Sequence, residues 1–280
     1  MGMKKRVVRL LPGFAVRMAV YAKRRVRYIR FGIDSLLHRR QMKVFCSCCN
    51  MRFRTFVSGG FDLQPNRYNP ERYSQTRQDV LCPFCKSLPR HQILAMWCGE
   101  HLERLKGKKI LYFAPEYGMK LWLKRNRIAV TTADLVRSAD LKLDIQDTGL
   151  PDGSYDVVFC NHVLEHVDDF RKAFKEIHRI LKPEGLLLCS FPMDPNIELL
   201  DEEEHVLTEK ERNRRFGQID HKRVFGMKAD AFLAEAGFNV RTILGEDYPD
   251  EIVPAIGPAD YDMNRLFQCE KSNDNGQRSS

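Results

Sequence analysis

Four of the nine cysteines fall into two Cys-x-x-Cys pairs, Cys46-Ser-Cys-Cys49 and Cys82-Pro-Phe-Cys85, with residues 50–81 between them. A two-residue gap lets both sulfurs of a tight turn face one ion. Two such turns complete a tetrahedral thiolate shell for Zn2+ at about 2.3 Å per Zn–S bond. The intervening segment is polar and carries Gly59-Gly60, Pro65 and Pro70, so it lacks the apolar content to form a core without an ion. A structural zinc site at Cys46, Cys49, Cys82 and Cys85 is expected, with Cys48 either a bystander or an alternative ligand. Redox chemistry competes for a single Cys-x-x-Cys, but that motif should open a helix after a strand. Cys98, Cys160, Cys189 and Cys269 sit in apolar contexts and read as small core residues.

A second group of residues could move protons. Asn161, His162, Glu165 and His166 follow one apolar run, and Asp220-His221-Lys222-Arg223 lies further on. An oxygen nucleophile needs a base to take its proton, and a histidine whose tautomer is fixed by a carboxylate suits that role. His221, Asp220 and His162 are therefore candidate catalytic groups, and Arg223 a candidate clamp for an anionic substrate. The plainer alternative is a turn with a solvated Asp220 and a packed His221, while Glu165 and His166 could support the start of the next helix.

These residues need elements to hold them. Ile110–Ala114 reads as a buried strand, followed by a helix through Leu121, Trp122 and Leu123. Residues 128–132 read as a second strand ending at Asp134, and Leu141–Leu143 as a third ending at Asp144. Tyr155–Cys160 is the fourth strand, Asp168–Leu181 an amphipathic helix and Leu186–Phe191 the fifth strand. Lys228–Ala236 is a helix closed by Gly237, with further strands over Phe238–Leu244 and Leu266–Glu270. Apolar strands alternating with helices imply a mostly parallel seven-stranded α/β sheet, covered on both faces, with its ligand crevice at the carboxyl ends of the strands.

The charge is unevenly spread. The chain carries +9, yet 13 of its 46 basic and one of its 37 acidic residues fall within residues 1–43, which gives that segment +12 and the rest −3. In this arm Phe14, Met18, Ala22, Val26, Ile29, Ile33 and Leu36 or Leu37 recur at helical spacing among Arg17, Lys23, Arg24, Arg25, Arg27 and Arg30. A basic amphipathic helix suits an anionic membrane surface. It could instead pack on its own protein or a second subunit. Nucleic acid is disfavoured, because Tyr21, Tyr28 and Phe31 are too few for base stacking. No secretory signal or spanning segment is legible, since Arg9, Pro12 and Arg17 interrupt the apolar stretch, so a cytoplasmic, membrane-peripheral location is expected. The division expected is an arm at 1–43, a zinc-ribbon-like module at 44–91, an α/β domain at 92–271 and a polar tail at 272–280.

The stretch Tyr155-Asp-Val-Val-Phe-Cys-Asn-His-Val-Leu-Glu-His-Val167, followed by Ala173, Glu176, Arg179-Ile-Leu-Lys-Pro183 and Gly185, resembles class I S-adenosylmethionine-dependent methyltransferases of the type 11 kind. Cys82-Pro-Phe-Cys-Lys-Ser-Leu-Pro-Arg-His91 and Phe216-Gly-Gln-Ile-Asp-His-Lys-Arg-Val-Phe-Gly226 are similar to a subgroup with an amino-terminal zinc-ribbon region. The resemblance spans residues 44–271 and implies a Rossmann-like fold. It places Pro115 and Glu116 near the methionine part of S-adenosylmethionine, Asp134 at the ribose hydroxyls and Asp144 at the adenine. Asn161 and His162 would lie near the transferred methyl. The usual glycine-rich loop is replaced by Ala114-Pro-Glu-Tyr-Gly118, where only Gly118 could let backbone approach the cofactor closely. The resemblance further implies methylation of an oxygen on a small-molecule or glycan precursor in polysaccharide biosynthesis. The rival is a non-catalytic, zinc-containing binding module on a degenerate methyltransferase fold. A nicotinamide dehydrogenase is disfavoured, since no Gly-x-Gly-x-x-Gly follows the first strand.

Overall fold

A computed structural model of the chain describes residues 22, 25–26, 29–34, 37–58, 79–203, 207–253 and 265–272. The readings made for most of the arm before residue 29, for the Gly59–Pro70 loop and for the tail from 273 lie outside these. The hairpin strands β1 (Val44–Cys46) and β2 (Met51–Phe53) flank the first cysteine turn, and α1 (Pro89–Glu100) follows the second. Then come β3 (Ile110–Phe113), α2 (Tyr117–Arg125), β4 (Thr131–Ala133), β5 (Tyr155–Asn161), α3 (Phe170–Ile180) and β6 (Leu181–Ser190). The chain continues through β7 (Leu200–Glu202), α4 (Glu209–Phe216), β8 (Arg223–Phe225), α5 (Asp230–Glu235), β9 (Phe238–Leu244) and β10 (Arg265–Lys271).

The main sheet runs in the order β4-β3-β5-β6-β10-β9. Its first four strands are parallel, and β10 is antiparallel to both neighbours. Because side chains alternate across a strand, Ile110 and Tyr112 face one side and Leu111 and Phe113 the other. Each side closes its own core. Ile110, Tyr112 and Phe159 pack with Trp97, Met119 and the cysteine turns, whereas Leu111, Phe113, Val158 and Cys160 pack with α3 and α5. In α3, Phe170, Ala173, Phe174, Ile177 and Ile180 recur on one buried face, and the Asp169 carboxylate caps the helix by accepting from Lys172 N at 2.9 Å. Each large apolar side chain so buried contributes about 1.5–3 kcal/mol.

Among the described residues the sheet has six strands, where seven were expected. Leu141–Leu143 forms no strand; only Leu141 meets the sheet, through a single bridge to Ala133. The Asp140 carboxylate accepts from Thr132 N at 2.8 Å and Thr132 Oγ1 at 2.7 Å, taking the donor that a continuing strand would have paired. Four residues after Asp140 the chain turns back between Asp144 and Asp147. The second strand is also shorter than expected, Thr131–Ala133.

The cysteine region is not a separate lobe. α1 begins at Pro89, so a boundary after residue 91 would cut a helix. Phe45 N donates to Glu251 O at 2.7 Å and Trp97 Nε1 donates to Gln268 Oε1 at 3.0 Å, tying the module and α1 to the carboxyl-terminal part of the domain. Arg125 at the end of α2 donates to the carbonyls of Cys48 (2.9 Å) and Ser47 (3.0 Å). Gly118 lies beneath the same turns: a Cβ there would meet Ser87 Cβ at 3.0 Å and Cys48 Cβ at 3.5 Å. Its missing side chain thus makes room for the cysteine module, not only for a ligand. Among the described residues, no helix is long and apolar enough to cross a membrane.

Candidate active site

The four expected ligands converge. Cys46, Cys49, Cys82 and Cys85 place their sulfurs within 4.8 Å of one another, with Cys46–Cys85 at 3.6 Å and Cys49–Cys82 at 3.8 Å. A tetrahedral ion with bonds of about 2.3 Å requires sulfurs about 3.8 Å apart, so the set fits a zinc ion closely. Outer hydrogen bonds suit thiolates: Gln92 Nε2 donates to Cys46 Sγ at 3.2 Å, Cys85 N donates to Cys82 Sγ at 3.4 Å, and Ser87 Oγ lies 3.3 Å from Cys46 Sγ and 3.1 Å from Cys85 Sγ. Cys48 is outside this group of four and donates its thiol to His91 O at 3.3 Å.

The last turn of the module runs into α1 and reaches the loop after β3. There Glu116 Oε1 lies 2.9 Å from Arg90 Nη2 and 2.5 Å from His91 Nε2. His91 Nδ1 accepts from Leu88 N at 2.7 Å, which leaves the ring proton on Nε2, toward the carboxylate. Burial pushes the Glu116 carboxyl up, but His91 and the Arg90 guanidinium outweigh it and hold it at about 2. The second oxygen, Oε2, is buried with no hydrogen-bond partner. These residues line a cleft of about 1220 Å3 together with Pro115, Tyr117 and Gly118. Ala114, the corner before Pro115, holds a left-handed φ of 47° where a glycine would be unstrained.

At the end of β5, Asn161 is buried. Its Oδ1 accepts from Ser190 Oγ at 3.0 Å, and its Nδ2 has no hydrogen-bond partner. His162 follows at φ 52°, a second strained corner on the same edge. Its Nδ1 is 3.3 Å from Glu165 Oε1, and His166 Nε2 is 3.8 Å from the same atom. Glu165 is fully buried, and burial raises its carboxyl to about 7. The His166 and His221 rings meet edge to face at 4.9 Å.

The other expected site residues are placed as follows. The Asp220 carboxylate turns to His166, with Oδ2 3.5 Å from Nδ1, while His221 is packed inside against the His166 ring. Arg223 is 1% exposed, and four of its five N–H groups are taken: Nε by Glu202 Oε1, Nη1 by Leu164 O and Val167 O, and Nη2 by Asp168 O. It braces the loop after β5 and also lines a cavity shared with Asp169, Arg171 and Glu202. Asp134 Oδ1 accepts from Val136 N (2.8 Å) and Arg137 N (2.6 Å), and Asp144 Oδ1 accepts from Gln146 N (2.9 Å), so both carboxylates already organise turns. Neither belongs to the lining of the large cleft. Sequence reasoning overlooked Arg90, His91 and Arg125. The adjacent basic pair after the second cysteine turn was the available signal for the first two.

Residues 106–189 match the family model described as Methyltransferase domain. This segment covers β3, β4, β5, nearly all of β6 and the loops after β3, β4 and β5, and the strand order is that of an α/β, Rossmann-like fold with a mostly parallel sheet. The demethylmenaquinone methyltransferase of Listeria monocytogenes is 36% identical over 75 residues, which are 27% of this chain and 32% of that protein. The uncharacterized methyltransferase YcgJ of Bacillus subtilis is 38% identical over 52 residues, 19% of this chain and 21% of that protein. The chain thus spans about a third or less of the length of these curated relatives. A solved structure of the Burkholderia thailandensis 1,6-didemethyltoxoflavin-N1-methyltransferase has a TM-score of 0.46 at 14% identity, covering 66% of this chain and 79% of that one.

Proposed function

We propose that the protein is an S-adenosylmethionine-dependent methyltransferase that methylates an oxygen of a small molecule. The observation that carries this is the match over residues 106–189. The edge of those strands presents two buried polar atoms without partners, the acceptor Glu116 Oε2 and the donor Asn161 Nδ2. Such atoms are costly unless a ligand satisfies them, and a cofactor with an ammonium at one end and acceptor groups along its length suits both. When bound, the cofactor supplies a methyl group on an electrophilic sulfonium. Glu116 and Pro115 would hold its methionine end, the remaining oxygen of Asp134 its ribose and Asp144 its adenine side.

The chain's own residues would orient the acceptor, exclude water and move one proton. We assign the base to His162: Glu165 faces Nδ1 at 3.3 Å, which fixes the tautomer that takes a proton at Nε2. Asp168 and Lys222, close in the chain to His166 and His221, help line a cavity of about 620 Å3 with Asp169, Phe170, Arg171, Glu202 and Arg223. The charged side chains among them support a hydroxyl-bearing acceptor such as a glycan precursor. The arm supports a membrane-proximal setting, because Val26, Ile29, Ile33 and Leu37 are 67%, 56%, 53% and 71% exposed while Phe31 packs on Phe53 at 5.3 Å. Within the same scheme the four cysteines would hold structural zinc.

Isothermal calorimetry of the full chain with S-adenosylmethionine and its demethylated product tests the central reading. Micromolar binding of both is expected. Absence of binding would overturn it in favour of a binding module on a degenerate fold.

A further inference from the structure

Glu165 stands out among the buried groups. Its side chain is 1% exposed, and the polar groups that approach its Oε1 are His162 Nδ1 at 3.3 Å and His166 Nε2 at 3.8 Å. A buried carboxylate in that state is costly unless a cation compensates it. The groups around it are imidazoles. Glu165, His166 and His221 offer one ligand atom each within 4.8 Å of one another.

The surrounding bonds hold that grouping in place. Lys222 N donates to Glu165 O at 2.8 Å, fixing the backbone beside His221 against the loop after β5. The Arg223 guanidinium spans Leu164 O, Val167 O and Asp168 O and locks the same two segments together. His166 Nδ1 lies 3.2 Å from Asp220 O and 3.5 Å from the Asp220 carboxylate, so the ring proton belongs on Nδ1 and the Nε2 lone pair points to Glu165. A histidine that donates one nitrogen to a carboxylate or carbonyl and aims the other inward is the usual arrangement around a bound metal. Solvent reaches the group along His166, whose side chain is 34% exposed.

We propose that Glu165, His166 and His221 bind a divalent first-row transition-metal ion beside the acceptor cavity. Two imidazoles and one carboxylate suit Mn2+, Fe2+, Co2+ or Zn2+, in contrast to the all-sulfur set of the cysteine module. Three protein ligands leave coordination positions open, and an oxygen acceptor could occupy one. That use of the ion rests on the proposed methyl transfer, but its binding does not.

The test uses the full chain with its cysteine site loaded with zinc, titrated with Mn2+ and followed by the electron paramagnetic resonance signal of the free aqua ion. The wild type should remove about one equivalent from solution, and Glu165→Gln and His221→Ala should each weaken binding by about 10-fold or more. Substoichiometric Mn2+ added to the wild type should also broaden the imidazole proton resonances of His166 and His221 and spare His101, which stacks on Trp97. This readout does not depend on a variant folding. A wild type that leaves the signal intact up to millimolar Mn2+, variants that bind like the wild type, or equal broadening at His101 would each overturn the proposal. Because neither readout involves the cofactor, failure here is separable from failure of methyl transfer.

Discussion

Glu116→Gln keeps the shape of a side chain that joins the cysteine module to the loop after β3 while removing its charge. The carboxyl is held at about 2 instead of its ordinary 4.5. At about 1.4 kcal/mol per tenfold in the protonation equilibrium, its ionised form adds roughly 3 kcal/mol to folding at neutral pH. The side chain is 20% exposed, so solvent screens only part of this. Since the folded-state value lies below the unfolded one, the contribution is complete above about pH 4.5 and is lost as pH falls toward about 2. The glutamine variant should therefore unfold with roughly 3 kcal/mol less free energy at pH 7, which for a chain of this length lowers Tm by about 5 °C. The gap should shrink by roughly 1.5 kcal/mol at pH 3.5. Urea denaturation followed by fluorescence reads this directly, because Trp97 and Trp122 both sit in the core shared with the cysteine turns. The same variant should bind S-adenosylmethionine about 10-fold more weakly, the cost of one charge-assisted contact. A variant with the wild-type midpoint at pH 7, or a loss that stays constant down to pH 3.5, would refute the assigned pairing with Arg90 and His91.

Three further outcomes follow from the structure. Elemental analysis of untagged protein should find about one zinc per chain; Cys49→Ala should lose it and Cys48→Ala should keep it, because the Cys48 thiol is engaged with His91 O. Arg223→Met should cost about 3–5 kcal/mol in denaturant unfolding, since it strands Glu202 and three loop carbonyls, whereas a mere substrate clamp would change KM and leave stability intact. Flotation with anionic vesicles at low salt should carry the wild-type chain upward, and replacing Val26, Ile29, Ile33 and Leu37 together by Ser should leave it at the bottom. Retention of binding in that variant would move the contact elsewhere.

Much of the frame was legible because it rests on period and composition. Phe238–Leu244 falls where its apolar run places it, and Tyr155–Asn161 extends the expected strand by one residue. The third strand misled because the alternation Leu141-Lys142-Leu143 does not reveal that the side chain before it, Asp140, already satisfies the backbone of Thr132. The two Cys-x-x-Cys pairs show their grouping in the chain, but the direction of the Cys48 thiol depends on where α1 carries His91 O. Arg223 reads as a clamp for an anionic substrate because it closes the polar run Asp220-His221-Lys222. The carbonyls that bury it come from residues 164–168, which no local pattern connects to it. Gly118 invited a ligand because a glycine announces a close approach without naming what approaches.

The contact between Gly118, Arg125 and the cysteine turns has a consequence for how this protein can change over time. Residues 47 and 48 are tied to the end of α2 through backbone carbonyls, and at the start of α2 a Cβ on Gly118 would meet Ser87 Cβ at 3.0 Å. A bulkier residue on either side of the seam requires a small shift of the other. The amino-terminal turns and one face of the sheet share a core, so a fragment cut to residues 106–189 would leave that face of the strands bare.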